Sequence, residues 1–428
     1  MYTKTFLSTA LAVALASAQN NSQSLNALIT NEGELSGLGT LLESYPDLAD
    51  TLYSAQNITL FAPSNAAISA LQRSPGFESI TEAQVGALLN YHIVAGEVPS
   101  SAITETPTFA HTLLNDTAYA NVTDGQVLSV RLSDDVETDT ETDDSEDSDT
   151  PAVVVTSGLK TEATVVQADL NYTNGIVHVI DTVLTIPLNV STTAYAANLT
   201  ALAGALTAAN LVDTLDAASD ITVFAPSNDA FSAIGSAAGN LSTQQLSDIL
   251  QYHVINSTIA YSSSLGNGSV ETVGGGILNI TVTDGVVFVN SARVINADIL
   301  ISGGVMHVID SVLNPNNSTQ SEPDADEDEP VVQFSGASSA PLGALTSGAP
   351  AASTTVTALV ATTEDVAQGY PTQTGGAIGT GAGGSEPTGS NSGGGSGSES
   401  SSSDMASMPT GAIGAAALFG GAVLLANL

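Results

Sequence analysis

Thr59-Leu60-Phe61-Ala62-Pro63-Ser64-Asn65 returns farther along the chain as Thr222-Val223-Phe224-Ala225-Pro226-Ser227-Asn228. Two more blocks repeat in the same order. Leu89-Asn90-Tyr91-His92-Ile93-Val94 returns as Leu250-Gln251-Tyr252-His253-Val254-Ile255. Gly175-Ile176-Val177-His178-Val179-Ile180-Asp181 returns as Gly304-Val305-Met306-His307-Val308-Ile309-Asp310. Three blocks in one order define two homologous copies, and such repetition sets the architecture before any local reading. Each copy is long enough to hold its own core.

Both copies read as mixed α and β. Leu35, Leu38, Leu41 and Leu42 have helical spacing up to Pro46, as do Leu199, Leu202, Leu206, Leu211 and Leu215 in the second copy. Ser64 and Ser227 follow a short apolar strand and are placed to cap a new helix. The next helix opens on a capping box, Thr81 with Gln84 and Ser242 with Gln245. Ile80/Val85 and Leu241/Leu246 are the matching hydrophobic staples. These helices run into the Tyr-His pairs.

The second half of each copy turns to β. Leu278, Ile280 and Val282 alternate with Asn279, Thr281 and Thr283, and Asp284-Gly285 turns the chain into Val287 and Val289, a hairpin signal. Asp124-Gly125 is expected to hold the matching place in copy one. On that alignment Asp124 to His178 is 54 positions against 23 from Asp284 to His307. The surplus holds an acidic run, Asp134 to Asp149, expected as a disordered insertion near 133–151 between strands.

Composition narrows the function. The 428 residues carry 44 acids, 5 bases and no cysteine, for a formal charge of −39. That excludes a basic footprint for nucleic acid, and with no cysteine there is no disulfide framework or thiolate metal site. Lys4, the apolar stretch Phe6–Ala16 and Ala16-Ser17-Ala18 read as a secretory signal over residues 1–18. From Gly411 to Leu428 the chain is uncharged and apolar, behind a Ser-rich spacer. That order fits a glycosylphosphatidylinositol (GPI) signal at 401–428, with Ser400 and Ser401 as attachment candidates, and a tail-anchored helix as the alternative. Thirteen Asn-x-Ser/Thr sequons lie between these ends: Asn20, Asn57, Asn115, Asn121, Asn171, Asn189, Asn198, Asn240, Asn256, Asn267, Asn279, Asn316 and Asn317.

The three repeated blocks resemble the fasciclin domain, over residues 22–315. The resemblance implies an α+β fold, two tandem domains (19–187 and 188–315), each a β-sandwich-like wedge packed with several helices. A disordered stalk, acidic and then Gly/Ser/Ala-rich, is expected over 316–400. Tandem fasciclin domains with a leader and a GPI anchor are similar to cell-surface adhesion proteins of fungi and plants. The resemblance also implicates the Tyr-His region in adhesion, making Tyr91, His92, Tyr252 and His253 candidates. The other reading of that pair is a helix-end histidine capping carbonyls beside a core tyrosine. Asn296-Ala297-Asp298-Ile299 is similar to an Asn-x-Asp-Ile motif linked to integrin recognition in animal relatives, which adds Asn296, Asp298 and Ile299. Copy one has Gln167-Ala168-Asp169-Leu170 there.

No catalytic constellation competes with this reading. His178 and Asp181, like His307 and Asp310, sit three apart on a strand and point to opposite faces. No Gly-x-Ser-x-Gly elbow, His-Glu-x-x-His or phosphate-binding loop is present. The acidic run lacks the glycine and closing glutamate of an EF-hand. The expectation is a non-enzymatic adhesion glycoprotein on the extracellular face of the plasma membrane or in the cell wall. Its partners would be cell-surface, matrix or wall components, with no cofactor and no metal. The alternatives are a carrier or binding module for a small ligand or wall polysaccharide, and a structural wall component.

Overall fold

The computed structural model describes residues 23–134, 151–317 and 330–341. The expected leader, the acidic run beyond Asp134, the Ser400 and Ser401 attachment candidates and the apolar tail lie outside the described residues. Copy one runs α1 (Leu25–Asn31), α2 (Ser36–Glu43), α3 (Pro46–Ser54), β1 (Ile58–Pro63), α4 (Asn65–Arg73), α5 (Glu82–Tyr91), β2 (Ile93–Ala95), β3 (Thr108–His111), β4 (Val127–Ser133), β5 (Ala152–Thr156), β6 (Glu162–Tyr172) and β7 (Gly175–Ile180). Copy two follows with α6 (Val190–Ala196), α7 (Thr200–Ala208), α8 (Val212–Asp216), β8 (Ile221–Pro226), α9 (Asn228–Ala233), α10 (Gly235–Ala238), α11 (Thr243–Tyr252), β9 (Val254–Ile255), β10 (Gly268–Glu271), β11 (Ile277–Thr283), β12 (Val286–Val289), β13 (Ala292–Ile301) and β14 (Gly304–Ile309).

The two sheets have matching strand order, β2-β1-β7-β6-β5-β4-β3 and β9-β8-β14-β13-β12-β11-β10. In each copy the first and last long strands pair in parallel, β1 with β7 and β8 with β14. These four strands are buried along their whole length, as parallel strands covered on both faces must be. The far edge curls back. Val94 bridges Thr112, and the Leu113 N–H reaches the Ile93 carbonyl at 2.8 Å; Val273 and Val254 make the same closure at 2.8 Å. The expected wedge is therefore a seven-stranded, barrel-like sheet. Side-chain alternation gives it two cores. Phe61 and Ile180 point inside with Tyr91, Leu128 and Val155, while Leu60, Ala62, Val177 and Val179 face the helices through Leu28, Leu38 and Leu52.

Most of the Thr-x-Phe-Ala-Pro-Ser-Asn block has a visible task. Phe61 sits opposite His178 in the parallel register. Proline closes the strand, where its missing N–H costs no ladder bond. Ser64 and Ser227 cap α4 and α9, accepting the Ala67 and Ala230 N–H groups at 3.3 and 3.1 Å. Asn65 and Asn228 reach back to the helical layer, accepting from the Gly37 and Ala201 N–H groups at 2.6 and 3.0 Å. Both predicted capping boxes form.

Two expectations change. Asp124-Gly125 is a turn with positive φ (67° and 95°), as is Asp284-Gly285 (50° and 81°). The first joins β3 to β4, however, and the second joins β11 to β12. Strand β4 corresponds to β11, so residues 134–151 replace the Asp284-Gly285 turn, and copy one carries a second, longer connection before β4. The other change concerns the stalk. Residues 330–341, expected to be disordered, pack on copy two, with Gln333 only 3% exposed and Phe334 against its core.

A glycine opens each last strand because the parallel neighbour is so close. A Cβ at Gly175 would lie 2.1 Å from the Ile58 carbonyl oxygen, and one at Gly304 2.0 Å from that of Ile221. Gly175→Ala and Gly304→Ala are each expected to destabilise by about 3 kcal/mol or more, as read by urea unfolding. A loss below ~1 kcal/mol would show that the strand pair can part without consequence.

Candidate functional site

The last strand carries a histidine that organises the polar frame of each copy. His178 stacks on Phe61 with ring centroids 5.5 Å apart. Its Nε2–H donates to the Val98 carbonyl at 2.9 Å, and Nδ1 accepts the Asp169 N–H at 3.2 Å. The Val98 N–H donates to Thr59 Oγ1 at 2.8 Å. The Asp169 carboxylate takes the Ser100 N–H at 2.9 Å and its hydroxyl. Copy two repeats the frame: His307 joins Ala260 (2.8 Å) to the Asp298 N–H (3.2 Å), Thr222 holds the Ala260 N–H at 2.8 Å, and Asp298 caps Ser262. Burial pushes the His307 pKa down, against the pull of Asp298. The aspartates three residues on lie elsewhere, with Asp181 accepting from Thr164 and Asp310 from Arg293. Both nitrogens of each histidine are occupied by backbone groups, which leaves no free base at either position.

The Tyr-His pairs form a second frame. Tyr91 and Tyr252 donate their hydroxyls to the Val127 and Ile277 carbonyls at 3.0 and 2.8 Å, tying α5 to β4 and α11 to β11. His92 Nδ1–H donates to the Leu88 carbonyl at 2.7 Å and Nε2 accepts the Leu184 N–H at 3.0 Å. His253 does the same between Ile249 and Leu313, at 2.8 and 2.9 Å. All four residues are 2% exposed or less. These adhesion candidates are sealed in the interior and present no surface to a partner; their bonds tie a helix end to the segment after the last strand.

The Asn296–Ile299 candidates lie between the copies. Ile299 is in the core at 0% exposure, and Asp298 is engaged with Ser262. The Ala297 carbonyl accepts Lys160 Nζ at 2.9 Å, from copy one. Burial lowers the Lys160 pKa while Asp298 and Glu162 pull it back up. Around this contact Phe109 stacks on Tyr261 at 3.9 Å. Thr123 donates its N–H and hydroxyl to Asp220 at 2.8 and 2.6 Å, and Gln126 reaches the Ile301 carbonyl at 3.1 Å. Copy one thus covers the copy-two motif, whereas its own Gln167–Leu170 has no second copy against it in the structure.

Sequence reasoning missed the residue just before each motif. Strands β6 and β13 carry register shifts at Val165/Gln167 and Val294/Asn296, and such bulges re-aim a side chain. Val166 and Ile295 are thereby turned outward, 58% and 41% exposed. Alternation alone would bury or expose them by parity, so no sequence signal marked them. Of the sequons, Asn57, Asn115, Asn171, Asn198, Asn240, Asn256 and Asn267 are exposed, and Asn121, Asn189 and Asn279 are half-buried. Among the described residues no group of three acidic or histidine side chains could hold a metal, and no helix is long and apolar enough to cross a membrane.

Two rolled sheets with the same buried frame define a tandem domain pair. The fasciclin domain model matches residues 33–187 and 197–315, and the chain belongs to the fasciclin family. A fasciclin-like arabinogalactan protein of Arthroderma benhamiae is 34% identical over 79% of this chain and 77% of its own length. Another, of Phaeosphaeria nodorum, is 29% identical over 69% of this chain and 90% of its own. Human periostin is 31% identical over 35% of this chain and 18% of its own length.

Two predictions follow from these contacts. His92 and His253 have pKa values lowered to about 4 by burial, from 6.5. Their folded forms are neutral, so they contribute full stability above pH 6.5 and lose it as pH falls toward 4. That amounts to roughly 3 kcal/mol each. His92→Gln and His253→Gln should flatten the pH dependence of unfolding in that window; parallel curves for variant and parent would refute it. Lys160→Ala should uncouple the copies, so that calorimetry resolves two transitions where the parent shows one. An unchanged single transition would rule out this coupling.

Proposed function

We propose that the chain is a GPI-anchored surface glycoprotein whose two domains mediate weak, multivalent, non-catalytic adhesion to cells, matrix or wall components. Membership of the fasciclin family, with periostin among its relatives, supports a cell-surface, adhesion-type role. The observation that carries the finer reading is the repeated bulge: both copies turn a large apolar side chain, Val166 or Ile295, into solvent beside the same motif. One exposed apolar residue is ordinary on a protein surface. Two at equivalent positions are a repeated feature. Each is a small contact, and many chains on one surface would add such contacts through avidity. Exposed sequons at Asn57, Asn115, Asn171, Asn198, Asn240, Asn256 and Asn267 fit a glycosylated surface.

The test is aggregation of cells displaying the full chain. Val166→Asp with Ile295→Asp should cut aggregation at least tenfold with thermal stability unchanged. Phosphatidylinositol-specific phospholipase C should release both the chain and the aggregation. Aggregation untouched by the double substitution would remove the bulges from the mechanism, and protein retained after the lipase would remove the anchor.

A further inference from the structure

The contact between the copies uses an insertion that copy two lacks. The strand registers align Phe109, Val127 and Ser129 of the β3–β4 pair with Ser269, Ile277 and Asn279 of β10–β11. The Thr112 and Thr272 N–H groups make matching bonds to the Gln126 and Gly276 carbonyls, at 2.7 and 2.8 Å. Between these fixed points copy one holds residues 113–125, and copy two only 273–275. The insertion carries Asn121 and Thr123 onto copy two, where their N–H groups reach the Ser302 carbonyl at 2.6 Å and Asp220 at 2.8 Å. The outer face of β3–β4 goes with it. Phe109, paired with Ser129, stacks on Tyr261, and Ser129 and Val127 are 7 and 0% exposed.

The equivalent outer face of copy two is open. Ile277 is 58% exposed, and Val273 in the short turn is 44% exposed. Two residues after Ile277, and so on the same strand face, stands Asn279, which begins the sequon Asn279-Ile280-Thr281. Its Oδ1 accepts the Ser269 hydroxyl at 2.5 Å, and its backbone N–H donates to Asn290 at 3.0 Å. Among the described residues no hydrogen bond uses Asn279 Nδ2, the atom that carries an N-linked glycan. The position that protein covers in copy one thus holds, in copy two, a glycan acceptor beside an uncovered isoleucine.

The other end of the pair shows the same exchange in reverse. Asp220 is held by Thr123 and Leu300 is 1% exposed, at the end of copy two that meets copy one. Through the matching strand registers their counterparts are Asn57 and Asn171. Both are exposed, and both begin sequons. The Asn57 N–H reaches the Asn174 carbonyl at 2.7 Å, which sets it beside the turn that follows Asn171. Three sequons therefore fall at positions whose equivalents in the other copy are held or buried.

We propose that an N-linked glycan on Asn279 covers Ile277 and Val273, standing in for the protein that covers this face in copy one. Attachment joins Asn279 Nδ2 to the anomeric carbon of an oligosaccharide carried on a lipid diphosphate. The bond from that carbon to the diphosphate oxygen breaks, the amide gives up one proton, and the lipid diphosphate leaves. Oδ1 keeps its bond to Ser269, so the stem of the glycan is held against the sheet. The C–H faces of the first sugars then lie on the aliphatic side chains beside it. This cover rests on the glycosylated surface proposed above.

The test uses the full chain made in a eukaryotic secretory host. Peptide-N-glycosidase F in heavy-oxygen water labels each occupied asparagine for mass spectrometry, and Asn279 is expected to carry the label. Hydroxyl-radical footprinting then reads the cover. Ile277 should be oxidised at least threefold faster in Asn279→Gln than in the parent, with Val166, exposed on copy one, unchanged. Thr281→Ala ends the sequon without altering Asn279 and should do the same, which keeps the test intact where Asn279→Gln fails to fold. An unlabelled Asn279 would remove the glycan from this face, and the reading of a glycosylated surface here with it. An occupied Asn279 whose loss leaves Ile277 oxidation unchanged would overturn the cover alone. Protection of Ile277 that grows with protein concentration in both variants would assign the face to a second chain instead.

Discussion

Each copy is held by the parallel pairing of its first and last long strands, with a neutral histidine clamped at the centre of the pair. The register Phe61↔His178 and Phe224↔His307 joins parts of the chain that are far apart in sequence. Closing such a loop is entropically costly, though the cost grows only slowly with loop length. Everything between the two strands can therefore vary once the clamp is set. Copy one illustrates this: residues 134–151 replace a two-residue turn, and the flanking β4 and β5 still pair from Ser129↔Thr156 to Ser133↔Ala152. The histidine adds direction to the clamp. One nitrogen must donate to Val98 or Ala260 and the other must accept from Asp169 or Asp298. Protonation would destroy the acceptor, so the frame requires the neutral ring.

The same frame explains what could be read from sequence. The capping boxes and the Ser caps were legible because they are local: the signal and the bond lie within three residues. The two copies were legible because whole blocks recur. The role of Asp124-Gly125 was not, since an Asp-Gly pair reports positive φ at a turn and says nothing about which strands it joins. The partner of His178 was not legible either. The bond runs to a backbone N–H nine residues earlier, at Asp169 in its left-handed conformation (φ 58°), and that geometry exists only once the bulge in β6 has formed. Gln333 and Phe334 were hidden by their neighbours, because twelve residues inside an acidic and Gly/Ser-rich stretch carry too weak a composition signal to outweigh it.

Duplication also left the two copies unequal. Copy two has both of its special surfaces covered from within the chain: Lys160 sits on the Asn296–Ile299 motif, and the 330–341 strap lies over the helical face. Among the described residues copy one has neither cover. The Asn-x-Asp-Ile resemblance, read from sequence, pointed to the copy in which the motif is engaged. The copy with the poorer match, Gln167–Leu170, is the one whose motif has no second copy against it. Motif similarity and accessibility are separate properties, and here they fall on different copies.

Charge then limits how any partner can be held. The bases among the described residues are Arg73, Arg131, Lys160 and Arg293. Lys160 is used between the copies, and Arg131 pairs with Glu162 at 3.3 Å. Against 44 acids in the whole chain, this provides no basic patch to attract a polyanion from a distance. Two such surfaces repel over roughly a Debye length, about 8 Å at physiological salt. A contact between them has to be short-ranged, and outward apolar side chains such as Val166 and Ile295 act at that range. Weak single contacts of this kind suit a surface crowded with copies, where number replaces strength.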